Sequence, residues 1–315
     1  MAAMDQVRQP RGIAVALRDP LPWQAFSGAA QLAEDLGYAA VLLPETSGRD
    51  AVAALTGLAG ETSTLLLGTG VLPMTSRSSR LIAMGAATVQ ERSGGRAILG
   101  LGTGPAVPGA LDRLRALVAE LRTLLRAAPA ADGTPSLVAT PVPIWLSALG
   151  PRALETAGEI ADGVLLNWCP PQRVSQAREA VRGAALRSDR DPDLVTVAVY
   201  VRASLGGDEA AALAALRAAA GEYASYPAYA RQLAALGLGG EVEAAAAARR
   251  ARRPDEVPES LVRAVALLGD PAAARTGLQA YREAGADLVV VYPVVTRDDP
   301  TGSLTATIRS LAPAG

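Results

Sequence analysis

The stretch 65–104, LLLGTGVLPMTSRSSRLIAMGAATVQERSGGRAILGLGTG, holds two short apolar runs, each ending in closely spaced glycines, with a helical stretch between them. Gly68, Gly70, Gly100, Gly102 and Gly104 stand in or just past those runs. A residue without a Cβ lets other groups approach the backbone closely, so glycine-rich strand ends are natural places for a ligand to be met. A second stretch, 143–168 (PIWLSALGPRALETAGEIADGVLLNW), repeats the order of apolar run, glycine turn, helix and apolar run.

Working outward, apolar β-rich runs occur at 12–17, 39–43, 65–71, 96–101, 143–147, 162–167, 194–201 and 287–292. Amphipathic or Ala-rich helical stretches separate them at 22–36, 50–61, 78–92, 109–126, 151–160, 171–186 and 271–283, with a long run from Asp208 and a last helix at 304–311. Near-continuous apolar strands alternating with helices indicate a parallel sheet buried on both faces. Eight such units predict a closed (β/α)8 TIM barrel, with the doubly wound open sheet as runner-up. The 315 residues suit one such barrel, so a single domain spanning 1–315 is expected. Two stretches depart from the alternation. Residues 127–141 form a Pro/Gly/Ala loop expected to be a short lid. Residues 208–268 are too long for one helix and carry tyrosines at 223, 226 and 229 and the tract Arg249, Arg250, Ala251, Arg252, Arg253. They are expected as a helical insertion after the seventh strand, capping the barrel's C-terminal rim or packing against a second subunit of a homodimer. The arginines read as a solvated helix end, and the tyrosines as core or interface packing.

Hydrophobic residues make up 50% of the chain and the net charge is −1, which argues against disorder and against general attraction to nucleic acid or anionic lipid. The expected partner is a small molecule. No apolar run reaches the ~18 residues of a membrane span and the first residues lack the apolar core of a signal peptide, so a cytoplasmic setting is expected. With one cysteine, Cys169, there is no internal disulfide or multi-thiolate metal site. Histidine is absent, which excludes Ser-His-Asp and Cys-His catalysis and any imidazole acid or base. Demanding chemistry therefore needs a borrowed cofactor.

In a barrel of this class the chemistry sits where strands end. GlyLeuGlyThrGlyPro, 100–105, has dinucleotide-like glycine spacing, but Pro105 and Pro108 interrupt the helix such a fingerprint requires. Gly150 followed by Pro151 starts a helix, and a helix N-terminus binds phosphate; an ordinary cap is the alternative, although Ala148 and Leu149 are poor caps. Glu45 is the ionisable group at the turn after 39–43. Arg18, Asp19, Arg77, Arg297 and Asp298 read as solvated rim charges.

GlyThrGlyVal at 68–71, SerGlyGlyArg at 93–96 and AlaGlyGluIleAlaAspGlyVal at 157–164 are similar to the bacterial-luciferase-like flavin-dependent oxidoreductases, in particular the methylene-tetrahydromethanopterin-reductase-like branch. The resemblance runs from Gly12 to about Tyr292. It implies a hydride-transfer oxidoreductase that uses the deazaflavin coenzyme F420. It also implies a bulge with a cis peptide at Gly70-Val71 against the cofactor ring, Thr103 and Gly104 beside it, and Ser147, Ala148, Leu149 and Gly150 around its phosphate. Asn167 and Trp168 would line the ring pocket. A strand that simply ends at Gly70, a structural Thr103 and plain packing of Trp168 stand as alternatives. Glu45 falls where F420-dependent sugar dehydrogenases carry a histidine; it is either the proton-exchanging group or a structural carboxylate taking backbone N–H bonds. Two other functions remain open: an FMN-dependent monooxygenase of the same fold, and a barrel that binds flavin or a partner without catalysis.

Overall fold

A computed structural model describes residues 12–18, 21–46, 48–104, 107–126, 138 and 140–313. Strands β1 (Gly12–Ala16), β2 (Ala40–Leu43), β3 (Leu66–Thr69), β5 (Ala97–Gly102), β6 (Ile144–Ser147), β7 (Gly163–Asn167), β8 (Thr196–Leu205) and β10 (Leu288–Pro293) pair in parallel in that order. β10 pairs with β1 through Gly12↔Leu288 and with β8 through Leu288↔Ala198, which closes the barrel. The expected eightfold alternation is thus the observed one. Two further strands sit off the ring: β4 (Leu72–Pro73) pairs with the end of β5, and β9 (Ala266–Gly269) pairs with the end of β8.

Alternation of side chains along each strand divides the apolar residues in two. Ala14, Ala16, Ala40, Leu42, Leu66, Ile98, Trp145, Leu165, Tyr200, Val290 and Tyr292 form one cluster, the packed barrel interior. Val15, Val41, Leu67, Leu99, Val164, Val199 and Val291 belong to another, against the surrounding helices. Those helices are α1 (Trp23–Asp35), α2 (Ala51–Ala59), α3 (Ser79–Arg92), α4 (Ala110–Leu124), α5 (Pro151–Ile160), α6 (Pro171–Arg187), α11 (Pro271–Glu283) and α12 (Pro300–Ser310). Asp50 and Ser78 cap α2 and α3, and proline opens α5, α6, α11 and α12.

Three boundaries differ from the sequence expectation for local reasons. The run at 65–71 divides into β3, a bulge at Gly70-Val71 and β4. The run at 194–201 starts later, because Asp191 caps a short turn at Pro192–Leu194, and extends to Leu205 through the charged Arg202. The last helix begins at Pro300 because Asp299 accepts from the Gly302 amide. The insertion comprises α7 (Glu209–Ala224), α8 (Pro227–Leu233), α9 (Gly239–Arg250) and α10 (Glu259–Val265), followed by β9. It builds its own apolar cluster around Leu216, Leu233, Val242, Leu261 and Trp168, so within the chain it caps the barrel. The expected lid at 127–141 lies mostly outside the described residues, as do Asp19 and Pro105. No helix among the described residues is long and apolar enough to cross a membrane.

Below the rim, Arg96 joins the barrel to its helices. Its buried guanidinium donates to the carbonyls of Ser93 (2.8 Å), Leu65 (2.6 Å), Thr62 (2.8 Å) and Ala59 (3.3 Å). Arg96→Met would leave these acceptors without donors. We expect a loss of about 3 kcal/mol in urea unfolding.

Candidate active site

The barrel's C-terminal rim opens into a cavity of about 910 Å³. One wall is nearly bare backbone. β3 ends at the Gly70-Val71 peptide, which is cis. The Tyr200 hydroxyl donates to the Gly70 carbonyl at 2.6 Å, and the Gly70 amide donates to Leu43 O at 2.8 Å. Glycine is required here by space: a Cβ on Gly70 would collide with the Tyr200 hydroxyl. One on Gly102 would stand 2.8 Å from Val71 and 2.9 Å from the Ser147 hydroxyl. The same wall continues through Thr103, Gly104, Ser147, Leu149 and Gly150. Gly150 is the N-cap of α5, with no side-chain cap and nothing within 4 Å of the position its Cβ would occupy. The Arg173 guanidinium donates to Leu149 O at 2.7 Å and brings positive charge under this loop.

A second wall, which meets the first at the bond from Tyr200 to Gly70, is aromatic and cationic. Tyr200 and Tyr292 stand edge to face with centroids 5.2 Å apart, and Tyr223, Tyr226 and Tyr229 descend from the insertion. Asn167 at the end of β7 donates to the Tyr229 hydroxyl (2.8 Å) and accepts from Arg202 Nη1 (2.9 Å). Gln232 donates to the carbonyls of Asn167 (3.1 Å) and Trp168 (3.0 Å), fastening the insertion to the rim. Burial raises the phenol pKa values: Tyr229 is pushed up to about 12, with Tyr223 adding to the shift and the Asn167 bond and Arg202 opposing it. Tyr200 and Tyr292 are raised for the same first reason, while Arg202 pulls both down. These hydroxyls are neutral hydrogen-bond donors at neutral pH. Cys169 is buried and its thiol is pushed up to about 12 by that burial, so it is no nucleophile.

Glu45 lies between the walls, inside a network. Its Oε2 accepts from Arg77 (2.5 Å) and the Ala51 amide (3.1 Å), and its Oε1 from the Ser76 hydroxyl (3.3 Å). Arg77 also pairs with Asp50 at 2.8 Å, so Glu45 links the ends of β2 and β4 to the start of α2.

Of the residues singled out from sequence, Glu45, Gly70, Val71, Thr103, Gly104, Ser147, Leu149, Gly150 and Asn167 line the cavity. Ala148 and Trp168 lie outside its lining. Ala148 faces the outer core, its amide bonded to Leu165 O at 3.3 Å. Trp168 has a left-handed backbone (φ 49°) that turns the indole into the cluster beneath the insertion, against Tyr223 at 4.9 Å. The tyrosines of the insertion, read from sequence as packing, both pack and line the cavity. Tyr200, Arg202 and Tyr292 were not singled out, although an arginine two residues after a tyrosine in an apolar run was a visible signal. No metal-binding cluster is found among the described residues.

The bare wall depends on the Tyr200 hydroxyl. Tyr200→Phe leaves the Gly70 carbonyl without that donor and is expected to lower stability by about 1–2 kcal/mol in denaturant unfolding, with no change in secondary structure by circular dichroism.

The family profile described as luciferase-like monooxygenase matches residues 7–288. A 5,10-methylenetetrahydromethanopterin reductase of Methanolobus tindarius is 34% identical over 205 residues, covering 59% of this chain and 63% of that protein. The chain thus spans about three fifths of the length of the methanopterin reductases of this kind that it matches. A Mycobacterium tuberculosis protein, named among the coenzyme F420-dependent oxidoreductases, is 28% identical over 318 residues, covering 86% of this chain and 91% of its own. The structure of the coenzyme F420-dependent tetrahydromethanopterin reductase of Methanopyrus kandleri superposes with a TM-score of 0.74 at 21% identity, covering 95% of this chain and 98% of that one. With the profile spanning all but the ends, and the barrel and its rim cavity agreeing with it, the chain belongs to the luciferase-like monooxygenase family.

Proposed function

We propose that this protein is an F420-dependent oxidoreductase that moves a hydride between the deazaflavin and a small organic substrate, in the cytoplasm. The observation that carries the reading is the bare wall: Gly70, Val71, Gly102 and Gly104 present backbone where a flat ring needs unobstructed approach. The names of the relatives support F420 over FMN as the ring. When bound, the deazaflavin supplies a hydride donor or acceptor at its central ring carbon. The chain supplies the remainder. The bulge and Gly102–Gly104 back the ring. Ser147, Leu149 and Gly150, with the dipole of α5, hold the phosphate. The tyrosine wall keeps water from the side where substrate enters. The neutral phenols of Tyr292 and Tyr229, which line the cavity, donate hydrogen bonds to a substrate oxygen, whereas the Tyr200 proton stays on the Gly70 carbonyl.

In this proposal Glu45 is a positioning residue, because its Oε2 is held by Arg77 and the Ala51 amide. Glu45→Gln is expected to lose about 1–3 kcal/mol of stability, with turnover falling only as the folded fraction falls. A variant of wild-type stability whose turnover drops ~10²- to 10⁴-fold would return the acid–base role to this carboxylate.

Fluorescence titration tests the cofactor. F420 is expected to bind at least about tenfold more tightly than FMN, ~1.4 kcal/mol. FMN binding equally well would favour the monooxygenase reading, and binding of neither would leave a non-catalytic barrel. Gly150→Val should fold normally, since φ is −96° and the Cβ position is open, yet lose about 1–3 kcal/mol of cofactor binding by crowding the phosphate.

A further inference from the structure

Arg202 is 3% exposed yet lines the cavity. Its guanidinium lies over four rings: Tyr292 at 3.7 Å, Trp168 at 4.8 Å, Tyr223 at 5.4 Å and Tyr200 at 5.6 Å from the centroids. Its side-chain hydrogen bond to the protein goes to a neutral acceptor, Asn167 Oδ1, at 2.9 Å. The ion pairs among the described residues are made by other arginines. The one carboxylate among the described lining residues, Glu45, is occupied by Arg77.

A buried cation without an anion is costly, and aromatic faces compensate only part of the lost hydration. Asn167 cannot offer more: its amide nitrogen is committed to the Tyr229 hydroxyl at 2.8 Å, which leaves its single oxygen for Arg202. A guanidinium carries five N–H donors in a planar fork, so most of its capacity stays available to whatever enters the cavity. The group that matches this fork is a carboxylate, planar and able to accept two parallel bonds. The surroundings describe the rest of the ligand. Tyr223 stands at 88° to Tyr229 and 89° to Tyr226, with centroids 4.9 Å and 5.6 Å apart, so the wall offers faces and edges to a flat apolar body. Arg231, exposed at the mouth, adds a second positive charge that favours entry of an anion.

We propose that the substrate of this enzyme is an organic carboxylate with a flat, conjugated body, and that Arg202 is the residue that selects it. The proposal rests on the reading of this cavity as the active site, and assigns Arg202 to the substrate rather than to the cofactor. It places the carboxylate on the Arg202 fork and the body between the insertion's tyrosines and the bare backbone wall. An amide or ester of the same shape would leave the guanidinium without a charge partner and bind poorly.

Isothermal titration calorimetry decides the matter, with benzoate and trans-cinnamate as probes and benzamide and cinnamamide as their neutral isosteres. Each is titrated into protein free of cofactor and protein loaded with F420. Wild-type protein is expected to bind at least one acid in the micromolar to millimolar range, at least about tenfold more tightly than its amide. Arg202→Gln should remove that preference while its F420 affinity stays within about twofold of wild type. Equal binding of acid and amide, or no binding of either acid into the millimolar range, overturns the proposal on wild-type protein alone, whether or not the variant folds. An Arg202→Gln protein that keeps the preference for the acid overturns it as well. Acid binding without F420 binding would sustain this inference while removing the proposed cofactor, and F420 binding without acid binding would do the reverse.

Discussion

The pairing of β10 on one edge with β1 and on the other with β8 is the constraint from which the rest of the molecule follows. It converts a sheet with two open edges into a ring with none, and it directs the C-terminal ends of eight strands to one rim. A ring this small must be filled from within, and the filling is uneven. Trp145, Tyr200 and Tyr292 take space that Ala14, Ala16 and Ala40 leave. The glycines at the strand ends answer the same crowding, since a side chain at Gly163 would strike the Trp145 indole and one at Gly70 the Tyr200 hydroxyl. Packing demand therefore selects the same residue type at both ends of the barrel, and at Gly70 it does so in the lining of the cavity.

The two walls of the cavity are products of different physics. Hydrogen bonds between neighbouring strands set the bare wall: Gly70 N to Leu43 O at 2.8 Å, Met74 N to Gly102 O at 2.8 Å, and the Thr69 hydroxyl to Gly100 O at 2.7 Å. Side chains that arrive from far along the chain set the aromatic wall, held by Asn167, Gln232 and the ring contacts of Arg202. A face built of strand-paired backbone thus meets one whose shape depends on rotamers locked by mutual contact.

This difference explains what could be read from the sequence. The barrel and its bare wall were legible because alternating strands and strand-end glycines are local patterns: the runs at 39–43, 96–101 and 143–147 sit within a residue or two of β2, β5 and β6. The aromatic wall was not. Tyr223 and Tyr229 gain their place by meeting Asn167 and Trp168 across the fold, a separation of 62 residues for the Tyr229 bond. Arg202 falls within a strand of ten buried residues, where a charge reads as the strand's end until its aromatic surroundings are known. Trp168 was placed at the rim because nothing in a tryptophan codon predicts a left-handed backbone. β9 escaped notice because a four-residue strand amid helices has no periodicity of its own.

The insertion leaves the barrel at the end of β8 and returns beside the same strand, where β9 pairs Ala266 with Arg202 and Gly269 with Leu205. Its departure and return points are therefore neighbours on one strand, and β8 keeps its pairing with β10 from Ala198 to Ala203 alongside them. In evolutionary terms the segment is a cassette: its length and tyrosine content can change by drift or recombination while the strands that carry the bare wall keep their register. A lineage built on this plan would hold its glycine-lined wall constant and reshape the tyrosine wall beside it by rewriting one contiguous stretch of gene.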